Sequence, residues 1–341
     1  MAGCPPLLAP ETAACGGGAC DGFGHCTCGD GMLAAGDFYP AGLACFDRTA
    51  IVVLWSLSAF TSALALVYIA FFIAMIQTSV ERKFGRTALG AGAFGWGILT
   101  FSLSVVRAVH PEWTLGSDPL SSVLFSGAYI AFWAFICAVI LRVVVLAKRV
   151  QKFQADGVKS VLVQRANWIY VLILFVMCVC LAPVVMLGVD QSLSALTALK
   201  AVFFWGNAFC VLCCGGFSLR FILVPLCESF KAHVADRAAV PGAVESTAQM
   251  SVVVGKMDRF ARFIEIDSVA SFLTMALFGS WPVLLRASAY LMPLLMVIGA
   301  VTILTCVNLF WPVSKPSSTT GSVVVVADIG SAVSASVPSP L

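Results

Sequence analysis

The sequence predicts an all-α fold, a seven-transmembrane helix bundle with a small disulfide-rich module at its N-terminus. Hydrophobic residues make up 60% of the 341 residues and charged residues only 11%, whereas soluble domains carry about 25% charged residues. A membrane-spanning helix needs ~20 largely apolar residues, and seven such stretches follow one another along the chain. They are residues 51–77, 88–109, 120–147, 168–189, 199–226, 269–285 and 290–313.

The first element, residues 1–49, carries six of the fourteen cysteines. An even number of cysteines in a short exported segment predicts a disulfide framework, and six cysteines allow 15 pairings. A zinc knuckle is the alternative, but His25 is the one histidine near them, and an oxidising compartment favours disulfides. The cysteines are Cys4, Cys15, Cys20, Cys26, Cys28 and Cys45.

The spacing of these cysteines resembles that of an epidermal-growth-factor-like module. The run from Cys15 through Cys20 and Cys26 leads into the pair Cys26-Thr-Cys28, which is followed by a glycine turn and closed by Cys45. The resemblance implies three disulfides, which are Cys4 with Cys20, Cys15 with Cys26, and Cys28 with Cys45.

Basic residues are concentrated in alternate connections between the spans. The first carries Arg82, Lys83 and Arg86, the third Lys148, Arg149, Lys152, Lys159 and Arg165, and the fifth Lys231, Arg237, Lys256, Arg259 and Arg262. By the positive-inside rule these connections are cytoplasmic. We therefore predict a multi-pass protein of the plasma membrane or an endomembrane, with its N-terminus outside or luminal and its C-terminus cytoplasmic. The lipid bilayer is therefore a predicted partner. A net charge of +3 is too small to predict that the protein binds nucleic acid.

Glycines in the second span match the spacing of a dinucleotide-binding fingerprint, at Gly90, Gly92 and Gly95. That fingerprint requires a preceding strand and a following helix with an acidic residue ~20 positions on, and neither is present. Together with Gly97, these glycines instead predict close packing of the second span against another helix, because small residues let membrane helices approach.

Aromatic and amide side chains at comparable depths in different spans predict a ligand pocket inside the bundle. A proline after Trp281 would kink the sixth span, and kinks open cavities. Aromatic residues also fill cores that bind nothing, so a packed core is the alternative. The candidate pocket residues are Trp96, Tyr129, Trp133, Trp205, Asn207 and Trp281.

Three cations lie at the predicted outer ends of spans, at Arg107, Lys200 and Arg286. Together they would form a rim that attracts an anion. The alternative, which the sequence favours, is that they reach lipid headgroups or pair with acidic residues of the outer loops, namely Glu112, Asp118 or Asp190. No acidic residue lies in the middle of a predicted span, which argues against a pump.

The fifth connection predicts an amphipathic helix over about residues 247–266. Its apolar residues recur at helical spacing, at Met250, Val253, Val254, Met257, Phe260, Ala261 and Ile264. The helix either lies on the inner leaflet or continues into the sixth span and binds a cytoplasmic protein. Cys227, at the inner end of the fifth span, is a candidate palmitoylation site, and the tail 314–341 is predicted to be disordered.

No catalytic motif emerges, so we predict neither enzymatic activity nor a cofactor or metal site. The segment from Met75-Ile-Gln-Thr to Arg107-Ala and the run from Gly215 to Arg220 resemble the receptor-like seven-helix membrane proteins of the tobamovirus-multiplication type. That resemblance, with the exported module, implies a receptor-like or sensing protein with an unknown extracellular ligand or protein and a cytoplasmic partner. A scaffold or trafficking protein and a small-molecule transporter are the alternatives.

Overall fold

The computed structural model describes residues 19–20, 26–34, 37, 45–78, 84–115, 118–151, 193–212, 223–238, 244–280, 288–309, 313–314 and 323–324. These residues form seven helices and six strands of two residues each. The helices are α1 (Arg48–Thr78), α2 (Phe84–Val109), α3 (Pro119–Gln151), α4 (Leu193–Val211), α5 (Val224–Ala238), α6 (Val244–Ser280) and α7 (Ser288–Leu309). The strands are β1 (Ala19–Cys20), β2 (Cys26–Thr27), β3 (Met32–Leu33), β4 (Phe46–Asp47), β5 (Val313–Ser314) and β6 (Val323–Val324).

Five of these helices are long and apolar enough to cross a membrane, so the chain is an integral multi-pass membrane protein. The candidate spans are Arg48–Ala74, Leu89–Val109, Pro119–Val139, Val254–Ser280 and Ala289–Leu309. Four of them match predicted spans closely, while the one in α6 begins fifteen residues before the predicted start at residue 269. The predicted span 168–189 lies outside the described residues, as does part of 199–226. The described residues thus contain five candidate spans, and a total of seven remains a prediction.

Aspartates cap the starts of two spanning helices. The Asp47 carboxylate accepts a hydrogen bond from the Ala50 backbone N–H at 3.0 Å, and Asp118 accepts one from Ser121 N–H at 2.6 Å. Side-chain oxygens at this position satisfy backbone donors that have no partner inside the helix. Pro119 follows Asp118, and a proline is favoured as the first helical residue because its fixed φ suits the helix.

Helices α1 and α2 approach closely through small and polar residues. A Cβ atom added at Gly97 would lie 2.7 Å from Leu66, and one at Gly90 would lie 2.9 Å from Ile73. Between these helices the Ser58 and Ser104 hydroxyls form a buried hydrogen bond of 2.8 Å. The close packing predicted for the glycines of the second span is therefore present at two of them.

The opposite face of α1 carries large apolar side chains that are exposed on the surface of the protein. This distribution is the one expected of a helix whose outer face contacts lipid. The exposed side chains recur along one stripe at Val53, Leu57, Phe60, Leu64, Val67 and Phe71.

The N-terminal module rests on the bundle at the end where α1 begins. Its strands pair as β1 with β2 and β3 with β4, both antiparallel, and Cys28 is bonded to Cys45. Phe46 of the module packs edge-on against Tyr290 of α7, whose hydroxyl accepts a hydrogen bond from the Asp47 N–H at 3.0 Å. One of the implied disulfides is therefore present. Cys26 is disulfide-bonded as well, while Cys4 and Cys15 lie outside the described residues.

Helix α6 runs without a break from Val244 to Ser280, which joins the predicted amphipathic helix to the sixth span. The apolar stripe of its first half is buried at Val254, Met257 and Phe260, in a cluster that includes Phe230 of α5. This part of the stripe therefore packs inside the protein and not on lipid headgroups. On its exposed side Asp258 pairs with Lys231 of α5 at 2.7 Å and with Arg262 at 2.9 Å.

In the predicted tail, β6 pairs with β5.

Candidate functional site

A cavity of about 120 Å³ lies among the helices, between the N-terminal module and the α5–α6 contact. Five helices contribute to its wall. Its lining residues are Trp96 from α2, Phe125, Ala128, Tyr129, Phe132 and Trp133 from α3, Phe203, Asn207 and Val211 from α4, Asp267, Ser271 and Met275 from α6, and Met292, Leu295, Met296, Ile298, Gly299 and Thr302 from α7.

Four of the six residues predicted to form a pocket line this cavity, namely Trp96, Tyr129, Trp133 and Asn207. Trp205 does not. Its side chain is 46% exposed and lies against Gly279, where an added Cβ would be 2.7 Å from the indole. Trp205 and Asn207 are two residues apart on α4, and this spacing turns their side chains to different faces of a helix. Trp281 lies outside the described residues.

The wall of the cavity is held by ring contacts and by one buried hydrogen bond between helices. Tyr129 donates its hydroxyl hydrogen to Asn207 Oδ1 at 2.9 Å, and Asn207 Nδ2 donates to the Phe203 carbonyl at 2.7 Å. Phe132 packs edge-on against Trp133, with 5.5 Å between ring centroids. These two bonds orient Asn207 in the wall and use one of its two N–H donors and one of the two lone pairs of its oxygen.

Asp267 is the charged residue among the described lining residues that the sequence did not indicate. It lies on α6 at helical spacing from Ser271 and Met275, so one face of α6 presents all three to the cavity. Thr302 of α7 lines the cavity beside it, and its hydroxyl donates to the Ile298 carbonyl at 3.0 Å. The sequence predicts an amphipathic helix that ends near residue 266 and a sixth span that begins at residue 269, so Asp267 falls between the two and outside every predicted span. The four-residue spacing of Asp267, Ser271 and Met275 was the available signal.

The predicted anion-attracting rim is not assembled among the described residues. Arg107 is 1% exposed and pairs with Asp37, which is completely buried, at 3.0 Å. The guanidinium also donates to the carbonyls of Pro111 and Trp113. Asp37 belongs to the N-terminal module and was not among the partners suggested by the sequence. Lys200 is 2% exposed, and Arg286 lies outside the described residues.

The candidate palmitoylation site, Cys227, lies in the interior. Its side chain is 5% exposed and packs in the cluster with Phe230 and Met257. Burial raises the pKa of the Cys227 thiol to about 11. Acylation needs an accessible thiol that can lose its proton, so this environment argues against modification of the folded protein.

The described part of the chain contains no group of three histidine, cysteine or acidic side chains that could hold a metal ion. No family model, curated protein or solved structure matches the chain. The resemblances to the epidermal-growth-factor-like module and to the tobamovirus-multiplication type are thus without support from these comparisons, and the functional argument rests on the cavity and the helices around it.

Proposed function

We propose that this protein is a receptor-like sensor that binds a small ligand in the cavity and transmits its presence along α6. In this proposal the epidermal-growth-factor-like N-terminal module lies outside or in the lumen, the α5–α6 contact lies at the cytoplasmic end of the bundle, and the protein has no catalytic activity. The alternation of basic residues between connections supports that orientation. A cytoplasmic protein that binds near the start of α6 would read the signal.

The observation that carries this proposal is that one unbroken helix takes part in both regions. Helix α6 lines the cavity with Asp267, Ser271 and Met275, and it packs against α5 with Val254 and Met257. Ten residues separate Met257 from Asp267, which is ~15 Å along a helix. A helix of this length moves as a rigid element, so a displacement at the cavity is felt at the other region.

Filling the cavity without a ligand tests this coupling. Met275→Trp places a larger side chain where α6 faces the cavity, while Leu273→Trp, on the 54% exposed face of the same helix, is the matched control. Spectroscopic labels at Ala232 of α5 and Val252 of α6, both exposed, report the distance between the two helices. We expect Met275→Trp to shift that distance distribution and Leu273→Trp to leave it as in the wild type.

An unchanged α5–α6 distance in a folded Met275→Trp variant would remove the support for signalling through α6. An equal shift in both variants would show that the effect comes from adding a tryptophan to the helix and not from filling the cavity, and would count equally against the proposal. Circular dichroism and size-exclusion chromatography in detergent establish that each variant is folded before its distances are compared.

A small-molecule transporter is the second candidate, and one observation favours it. Asp267 lies within the candidate span Val254–Ser280, and acidic groups inside spanning segments often mark substrate or proton pathways. Liposomes that contain the purified protein would distinguish the two functions. A transporter moves a cavity-binding compound across the bilayer at a rate that Asp267→Asn reduces, whereas a sensor binds the compound without flux.

A further inference from the structure

The cavity carries an asymmetric charge. Among the described residues, its lining contains one carboxylate, that of Asp267, and no lysine, arginine or histidine. The hydroxyls of Ser271 and Thr302 also line it, while side chains such as Phe125, Phe203 and Met292 make most of the remaining wall apolar. A guest that fits this cavity therefore has one polar, cation-like end and one apolar end.

Among the described residues, no positive charge compensates the carboxylate of Asp267. The salt bridges found there join Arg107 to Asp37, His110 to Glu112, and Asp258 to Lys231 and Arg262, and none of them involves Asp267. The neutral hydroxyl beside it, that of Thr302, donates to the Ile298 carbonyl at 3.0 Å. Asp267 is half-buried, and a carboxylate withdrawn from water is costly unless a positive charge accompanies it. A guest that brings this charge therefore gains the interaction.

The walls suit a cation as well. The rings of Trp96, Tyr129, Phe132 and Trp133 all contribute to the cavity surface. The face of an aromatic ring attracts an ammonium group, and this attraction is strongest where water is excluded. Aromatic rings and one carboxylate together form the environment in which substituted ammonium groups bind.

The size of the cavity limits the guest. A volume of about 120 Å³ is somewhat smaller than the ~150 Å³ of an engineered cavity that binds benzene. An ammonium group with a compact branched alkyl substituent fits this space, which is too small to enclose a nucleotide or a sugar.

We infer that the cavity is a binding site for a small organic cation, with its ammonium group at the Asp267 carboxylate and its apolar part against the aromatic walls. The inference rests on the proposed sensor function and adds to it the chemical class of the ligand. Tert-butylammonium is a suitable probe, because tert-butyl alcohol has nearly the same shape without the charge and pivalate carries the opposite charge.

Saturation-transfer NMR titrations of the full-length protein in lipid nanodiscs measure such weak binding. We expect tert-butylammonium to bind the wild type at least about tenfold more tightly than tert-butyl alcohol, and pivalate not to bind, since a tenfold ratio corresponds to about 1.4 kcal/mol. Asp267→Asn, which keeps the shape and removes the charge, should lower the affinity for the cation about tenfold. Asp258→Asn, on the same helix but outside the cavity, should not change it.

Met275→Trp should remove binding of the cation and of the alcohol, because it fills the space that both need. Any one of three results would overturn the inference. The wild type could bind the cation and the alcohol equally well, or folded Asp267→Asn could bind the cation as tightly as the wild type does. The third result is that none of the three compounds binds at tens of millimolar. Each of these results leaves the α5–α6 distance measurement untouched. Conversely, the cation could bind in a way that depends on Asp267 while α5 does not move against α6. That result would contradict the proposed sensor function and would still support the binding site.

Discussion

Two acidic side chains of this protein lie in opposite circumstances. Asp37 of the N-terminal module is completely buried, and both of its oxygens are engaged, one by Arg107 at 3.0 Å and one by the Leu115 N–H at 3.0 Å. Asp267 is half-buried and lines a cavity. A carboxylate with both oxygens engaged by protein donors holds structure together, whereas one that faces a cavity can bind something else.

Arg107, the basic partner of Asp37, is likewise engaged by other groups of the protein. Arg107 lies 5.4 Å from the ring centre of Trp55 and donates to two loop carbonyls as well as to Asp37. It closes the last turn of α2, where a positive charge also complements the helix dipole. Arg107 thus fastens the N-terminal module to α1 and α2, and its charge is used inside the protein.

Removing the ion pair between Asp37 and Arg107 should cause the largest loss of stability. Asp37→Ala leaves the Arg107 guanidinium buried without its counter-charge, and removal of one partner of a buried ion pair costs about 3–5 kcal/mol. Thermal unfolding of the purified protein in detergent measures the loss. Glu112→Ala is the control, because the His110–Glu112 pair is exposed at the surface and such pairs contribute under about 1 kcal/mol. A loss no larger than that of the control would show that Asp37 does not fasten the module.

Removing the hydrogen bond between Tyr129 and Asn207 in the cavity wall should cause an intermediate loss of stability. Tyr129→Phe removes the hydroxyl that donates to Asn207 Oδ1 and keeps the ring in the wall. A buried hydrogen bond contributes about 1 kcal/mol net, with an added cost for the acceptor left without a donor. Unfolding in the same detergent should show a decrease of about 1–2 kcal/mol, and Phe132→Leu, which changes the wall without touching a hydrogen bond, separates this loss from that of ring packing.

Removing the charge at the cavity should cost the least among the buried sites. Asp267→Asn keeps a side chain that can hydrogen-bond to Thr302 and removes a carboxylate that lacks a counter-charge in the described structure, so we expect the unfolding temperature to stay the same or rise. Comparison with Asp37→Asn under identical conditions sharpens the contrast, since that change should destabilise strongly. A loss of several kcal/mol in Asp267→Asn would mean that this carboxylate is structural like Asp37.

The exposed pair Lys231–Asp258 gives the smallest effect and a pH dependence of known sign. The hydrogen bond to Asp258 raises the pKa of Lys231. A lysine pKa that is raised on folding stabilises the fold below the ordinary lysine pKa, and this stabilisation is lost as the pH rises through the folded value. Lys231→Met should therefore unfold slightly below the wild type at pH 8, and the difference should vanish in strongly alkaline buffer. A difference that persists there would assign the effect to packing of the lysine stem.

The pocket illustrates how far the sequence reasoning reached. Periodicity and aromatic content predicted Trp96, Tyr129, Trp133 and Asn207, which the structure brings together around one cavity. Depth along a span was the criterion used, and depth does not specify the direction of a side chain. Trp205 therefore had the right depth but lies on another face of α4. Asp267 was not considered because it falls between the predicted amphipathic helix and the predicted start of the sixth span at residue 269.

Hydrophobic length and periodicity are local properties, and they were enough to predict the membrane class, four of the spans, the helix in the fifth connection and the glycine packing of α2. Three features emerge only in the folded structure. They are the continuity of α6 from Val244 to Ser280, the pairing of Arg107 with Asp37 seventy residues away, and the position of Asp267 at a cavity. Each of these depends on which residues distant in sequence lie opposite one another, and local composition carries no information about such a pairing.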